Sequence, residues 1–201
     1  MAYLIINLGV SHILPWHISY FTHRKIRNTL YYSLFDSHLN FGNILWGCAA
    51  NKLLNKIENL QKRCIRNVAL THFKAHTEPL FKKLAIFKFP DKLSYFKSLF
   101  MHKFRNKKLP EICLDIFTEV SCSDDTQTRH NDYNYINRAA LKWNLESFPL
   151  KSMISTWNCL RIDLKSTADA DEFAKLLKES YLSKYSLDIK CFGPCYSCNN
   201  A

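Results

Sequence analysis

Four cations, Lys52, Lys56, Arg63 and Arg66, fall within a run whose apolar residues Leu53, Ile57, Leu60, Cys64 and Val68 recur at steps of three and four. That spacing predicts a helix from about Asn51 to Val68 with one buried stripe. At about 100° per residue the four cations share an arc of about 80° on the opposite face, and Lys62 sits beside them. Only Glu58 opposes them in charge. A solvated helix face usually carries more Glu, because Glu–Lys pairs four apart support a helix. A stripe of cations alone points instead to the phosphates of a nucleic acid.

Other chemistry-bearing constellations are weaker. The tail Cys191-Phe-Gly-Pro-Cys195-Tyr-Ser-Cys198 has the spacing of three thiolate zinc ligands, with a fourth to come from Cys122, from His130 or from residues beyond Ala201. The bland alternative is a terminus with free thiols. His72 and His76 are four apart but lack the Glu of the His-Glu-x-x-His metalloprotease pattern. The adjacent acidic pair Asp124–Asp125 has no flanking strand pattern to fix it as a metal site, so it reads as loop. With glycines only at positions 9, 42, 47 and 193, the chain has no Gly-rich phosphate loop. Catalysis by this chain alone is therefore not expected.

The elements that must position the stripe follow from composition and pattern. The chain has 201 residues, 47% hydrophobic, with 4 Gly and 6 Pro, which suits a globular, mostly helical protein. Net charge is +11, unevenly spread. Up to Pro110 there are 18 Lys/Arg against 4 Asp/Glu; beyond it there are 10 against 13. The first half thus carries the electrostatic footprint, and a polyanion is its natural partner. Eight cysteines, five of them scattered singly, read as reduced intracellular thiols rather than a disulfide framework. The lead-in MAYLIINLGVSHILPW is apolar but interrupted by Asn7, has no leading Lys or Arg, and is too short to span a bilayer, so no membrane partner is expected.

The reading is an all-α, multi-helix protein: an apolar lead-in at 1–19, a basic helical region at 20–117 and a polar loop at 118–134. A small helical part at 135–190 and the Cys-rich tail at 191–201 complete it. Ile26, Leu30, Leu34 and Phe35 make a helix stopping before Asn40, with Gly42 as its stop. Glu78–Leu84 is a short helix, and Asp91 caps another whose core face is Leu93, Phe96, Leu99, Phe100 and Phe104. Lys97, Lys103, Arg105, Lys107 and Lys108 add cations to that helix and its end. Asp169-x-x-Glu172 reads as a capping box opening a helix with Phe173, Leu176, Leu177 and Tyr181 inward, its packing anchored by Trp157.

A further pattern runs through Leu30-Tyr31, Ser33-Leu34, His38-Leu39, Phe41-Gly42, Leu45-Trp46-Gly47, Leu60-Gln61-Lys62-Arg63 and Ile65-Arg66. It continues in Ala75-His76-Thr77-Glu78-Pro79-Leu80-Phe81, Phe100-Met101, Lys103-Phe104, Trp157-Asn158 and Phe173 with Leu177-Lys178. In order and spacing these landmarks resemble the thumb-like and C-terminal region of LINE-type, jockey-like non-LTR retrotransposon reverse transcriptases. The family has Leu-Pro after Trp-Asn, where this chain has Cys159-Leu160. The resemblance implies a fragment of an RNA-directed DNA polymerase that grips template RNA, DNA or an RNA–DNA hybrid. Its backbone contacts would include Gln61, Lys62, Arg63 and Arg66, and its natural partner would be the missing polymerase core. The Ala-Asp-Asp hairpin of the palm is absent, so the fragment is expected to be inactive alone, in nucleus or cytoplasm, with no cofactor of its own beyond zinc at the tail. The alternatives are a free-standing nucleic-acid-binding or interaction module, or a decayed remnant.

Overall fold

The computed structural model describes residues 22–113, 117–119, 134–136 and 149–186. The lead-in, almost all of the 118–134 loop, Asp124–Asp125, and Cys122, His130, Cys191, Cys195 and Cys198 lie outside those residues. The described chain is mostly helical, as its periodicity predicts. It also holds one two-residue antiparallel ladder, β1 (Thr118–Glu119) against β2 (Tyr135–Ile136), with Thr118 opposite Ile136 and Glu119 opposite Tyr135. Two compact units divide the chain differently from the sequence blocks. One holds the described residues up to Lys92 with those from Tyr181, and the other is Leu93–Ser180.

In the first unit, α1 (Arg24–Leu30) runs into a π-helical segment, Tyr31–Asp36, and then into α2 (Ser37–Asn40). Gly42, at φ 61°, supplies the left-handed residue that ends this run before α3 (Asn43–Trp46). The widened π turn puts Tyr31, Phe35 and Asp36 into the interior together. Asp36 there meets Lys92 as a buried ion pair, and Asn40 Nδ2 donates to the other carboxylate oxygen at 3.2 Å. Ile26, expected inward, is half exposed, and Tyr31 takes the interior place. The long helix α4 (Asn51–Ala69) packs behind this run, and α5 (Glu78–Leu84) follows. Arg27 Nε donates to the Val68 carbonyl at 2.9 Å, a cation placed at the negative end of α4. The first turn of α6 (Phe89–Arg105) closes the unit with Tyr185. The Tyr185 hydroxyl donates to Asp91 at 2.6 Å and accepts from the Lys88 backbone N–H at 2.9 Å.

In the second unit, the rest of α6 packs with α7 (Pro149–Asn158), α8 (Ile162–Ser166) and most of α9 (Ala170–Ser183). Its core is a chain of rings: Phe117 on Phe104, Phe104 on Tyr135, Tyr135 on Trp157, and Trp157 on Phe173. Trp157 is fully buried, and the Asn158 amide grips both backbone groups of Tyr135 in β2, accepting from Tyr135 N at 3.2 Å and donating to Tyr135 O at 3.1 Å. The Asp169 cap forms, accepting from Glu172 N at 2.9 Å. Phe173 and Leu177 face inward as expected, and Tyr181, which belongs to the first unit, is buried as well, whereas Leu176 is exposed. On the part of α6 in this unit the buried set is Leu93, Lys97, Ser98, Met101, His102 and Phe104, so Lys97 lies inside rather than on a basic surface. Phe96, Leu99 and Phe100 are half buried.

His102 is a buried titratable group of this core. Its ring stacks on Phe173 at 4.2 Å, and Nε2 must donate to the Thr167 carbonyl at 2.9 Å, leaving Nδ1 to accept from Asn106 at 3.3 Å. Burial pushes its pKa below the ordinary 6.5; Lys108 and Arg105 act the same way, against the Thr167 carbonyl and Asp169. The folded state therefore holds neutral His102, while the unfolded chain protonates it below about pH 6.5. Its contribution is complete above that pH and is lost as acid carries the solution toward the lower folded value. Urea midpoints at pH 7.5 and 5.0 should show the wild type losing more stability on acidification than His102→Phe.

Among the described residues three helices end on a non-glycine residue in the left-handed region: Leu70 (φ 52°), Ala85 (φ 53°) and Lys107 (φ 53°). Each closes the same double-bonded terminus. Thr71 N reaches Arg66 O and Leu70 N reaches Asn67 O; Ile86 N and Lys108 N repeat the longer reach to Phe81 O and Lys103 O. An L-residue there is strained by about 1–2 kcal/mol, against which glycine loses more unfolded-state freedom. Lys107 is exposed, so Lys107→Gly removes little packing. We expect that variant to be more stable by about 0.5–1 kcal/mol in thermal or urea unfolding.

Candidate nucleic-acid interface

The site is one face of α4, and its composition depends on how the helix is rotated. The buried residues are Ile57, Gln61, Cys64, Ile65, Asn67 and Val68, with Leu53 and Leu60 only half buried. The inward face is thus centred about 30° away from the expected stripe of Leu53, Ile57, Leu60, Cys64 and Val68, toward Gln61 and Ile65. The cause is a polar pin. Gln61 Nε2 donates to the Tyr31 hydroxyl at 3.0 Å and to the Phe87 carbonyl at 2.9 Å. Gln61 is fully buried, which corrects its expected place among the backbone contacts. Tyr31 shares that interior, and burial raises its pKa well above 10.

The same rotation leaves Lys52, Lys56 and Arg63 exposed within an arc of about 40°, nearly opposite the Gln61 pin. Lys62 and Arg66 are differently employed. Lys62 pairs with Glu58 at 2.6 Å, one turn back, and is half exposed. Arg66 is half buried and donates through Nε to the Ala75 carbonyl at 2.8 Å, so it braces the loop after α4. Burial lowers its pKa, and neighbouring Arg63 adds to the effect.

Electrostatics isolate the three exposed cations. Among the described residues of this unit the acids are Asp36, Glu58, Glu78 and Asp91. Asp36 is paired with Lys92, Glu58 with Lys62, Glu78 with Lys88 at 2.7 Å, and Asp91 accepts from Tyr185. The Lys88 bond is also what holds the Glu78 carboxyl below its usual range. Each acid is thus committed to another partner, and Lys52, Lys56 and Arg63 have no carboxylate partner among the described residues.

The sequence reading passed over the loop that joins this face. His72 O accepts from Ala75 N at 2.9 Å, and His72 Nδ1 accepts from Lys74 N at 3.2 Å, making a turn with Phe73 and Lys74 at its tip. Phe73 is 67% exposed. Its signal was an aromatic residue set in a polar stretch, Thr71-His72-Phe73-Lys74, between two helices.

Among the described residues no group of three or more His, Cys, Asp or Glu could hold a metal ion, and no helix is long and apolar enough to cross a membrane. The Cys191, Cys195 and Cys198 tail lies outside them. No protein-family model, no curated protein and no solved structure matches the chain.

If Gln61 sets the rotation rather than touching a ligand, its loss is a folding defect. Gln61→Ala strands the Tyr31 hydroxyl in the interior and removes a donor from the carbonyl of half-buried Phe87, at a cost of about 2–4 kcal/mol with the cavity included. Urea unfolding reads that loss.

Proposed function

We propose that the chain binds nucleic acid through backbone phosphates along the outer face of α4, without sequence preference. The observation that carries this reading is the set of exposed cations Lys52, Lys56 and Arg63 on one face, in a unit whose four described acids are all engaged elsewhere. Three cations on one arc repel one another, and a phosphate backbone relieves that repulsion while releasing its own counterions. The resemblance of the sequence to the thumb-like region of non-LTR retrotransposon reverse transcriptases supports the same reading. In that frame the chain grips template RNA, DNA or their hybrid, and the metal-dependent copying step belongs to a palm that these residues do not contain.

Fluorescence anisotropy with an RNA–DNA hybrid and with single-stranded RNA over a salt series tests the proposal. Each phosphate contact contributes about 0.7–0.9 to the slope of log K against log salt, so loss of three contacts removes about 2–3 from it. Lys56→Glu/Arg63→Glu with Lys52→Glu should therefore bind far more weakly and with a flatter salt response. Equal slopes in the wild type and the triple variant would end the proposal.

A further inference from the structure

We infer that the α4 face takes single-stranded nucleic acid in preference to duplex, with one unpaired base stacked on the ring of Phe73. This rests on the phosphate-contact reading above and deepens it.

The loop after α4 is tied back to the basic face. Arg66 lies on the same side of α4 as Lys52, Lys56 and Arg63, within about 40° of Lys52. Its bond to the Ala75 carbonyl therefore brings the 70–75 loop back to the C-terminal end of the basic face. The double-bonded terminus at Leu70 and the turn from His72 to Ala75 fix the path between. Phe73 stands at the tip of that turn, two residues from the anchoring carbonyl, and remains largely in solvent. An exposed phenylalanine on a braced turn gains nothing from burial in this unit. Its surroundings are those of a stacking platform: His72 packs beside it at 4.4 Å, and Lys74 Nζ stands 5.4 Å from its centroid.

Charge and ring together select the ligand. Base stacking on an aromatic ring is stronger than an exposed cation–π contact, so a base displaces the Lys74 ammonium from Phe73. That ammonium then lies beside the phosphate flanking the stacked base. From Lys52 to Arg66 the helix rises about 21 Å, room for about six stacked nucleotides of one strand at 3.4 Å each. A paired base has both faces covered by its neighbours in the stack and cannot offer one to Phe73; an unpaired base can. The phosphate contacts hold either form of nucleic acid, and Phe73 distinguishes between them.

The test uses the full chain with an oligodeoxynucleotide carrying 2-aminopurine, as a single strand and annealed to its complement, beside phosphatidylserine vesicles. Base stacking should quench the 2-aminopurine of the single strand. Phe73→Ala should abolish the quenching and weaken single-strand binding roughly 5- to 100-fold, while duplex affinity and the salt slope stay unchanged. Phe73→Trp should retain both, which separates stacking from any folding defect. Single-strand binding unaffected by Phe73→Ala overturns the platform and leaves the α4 phosphate contacts standing. Absence of binding to either nucleic acid at low salt overturns both readings. Phe73-dependent binding to vesicles without binding to oligonucleotides assigns the surface to a lipid headgroup layer and overturns this one.

Discussion

A single amide decides which side of the longest helix faces outward. Gln61 sits at the centre of the buried face of α4, where its nitrogen serves both the Tyr31 hydroxyl and the Phe87 carbonyl. Either group would cost about 1–3 kcal/mol if left buried and unbonded. A rotation that brought Leu60 fully inward would break both bonds, a penalty greater than the apolar area Leu60 would gain is worth. The amide oxygen of Gln61 has no partner, so the pin acts through the nitrogen alone. Because the helix is rigid, fixing Gln61 inward fixes Lys52, Lys56 and Arg63 outward. The proposed function thus depends on a residue that touches no ligand.

The two units solve the problem of a buried lysine in different ways. Lys92 lies against Asp36 in the π turn, yet desolvation still lowers its pKa against the pull of the carboxylate. Pairs of this kind seldom add much net stability, but losing one partner leaves an uncompensated charge. The pair therefore specifies: it admits only the geometry in which the π turn presents Asp36 to α6. Lys165 has neutral oxygens instead, donating to Asn134 Oδ1 and to the Asn158 carbonyl at 2.9 Å each. Burial lowers its pKa too, with Cys159 opposing. Asn158 thereby ties the end of α7 to both β2 and Lys165, since its side chain holds β2 and its carbonyl holds Lys165. Packing of Trp157 and bonding of Asn158 give a physical role to the adjacent pair that the sequence singled out.

Helix existence was legible because it needs only local periodicity, and several ends were legible because caps are local too. Gly42 and Asp169 are examples, each acting within a few residues of itself. Helix phase was not. Leu53-Ile57-Leu60-Cys64 and Ile57-Gln61-Cys64-Ile65 both satisfy helical spacing, and the choice between them is made by partners 26 and 30 residues from Gln61. The same failure of phase put Lys97 on the wrong side of α6. Leu70, Ala85 and Lys107 escaped notice because left-handed helix ends are read from glycine, and here the chain accepts the strain without it. On the site itself, Lys52, Lys56 and Arg63 were placed by arithmetic on one helix, whereas Phe73 needed the Arg66–Ala75 bond to bring it alongside them.

The acids of the first unit support the proposed reading of the basic face over that of an ordinary solvated surface. Lys62 and Lys88 each find a carboxylate, so the fold has the means to neutralise a surface lysine. Glu58 is the nearest acid along α4 to the exposed cations, and it is turned toward Lys62, about 80° around the helix from Lys52. Arg63 and Arg66 meanwhile bear on each other unfavourably. A face selected for stability alone would intersperse the signs, gaining a few tenths of a kcal/mol per pair. Keeping Lys52, Lys56 and Arg63 unpaired forgoes that gain and adds mutual repulsion screened only over about 8 Å at physiological salt. Such an arrangement becomes favourable when an external polyanion completes it.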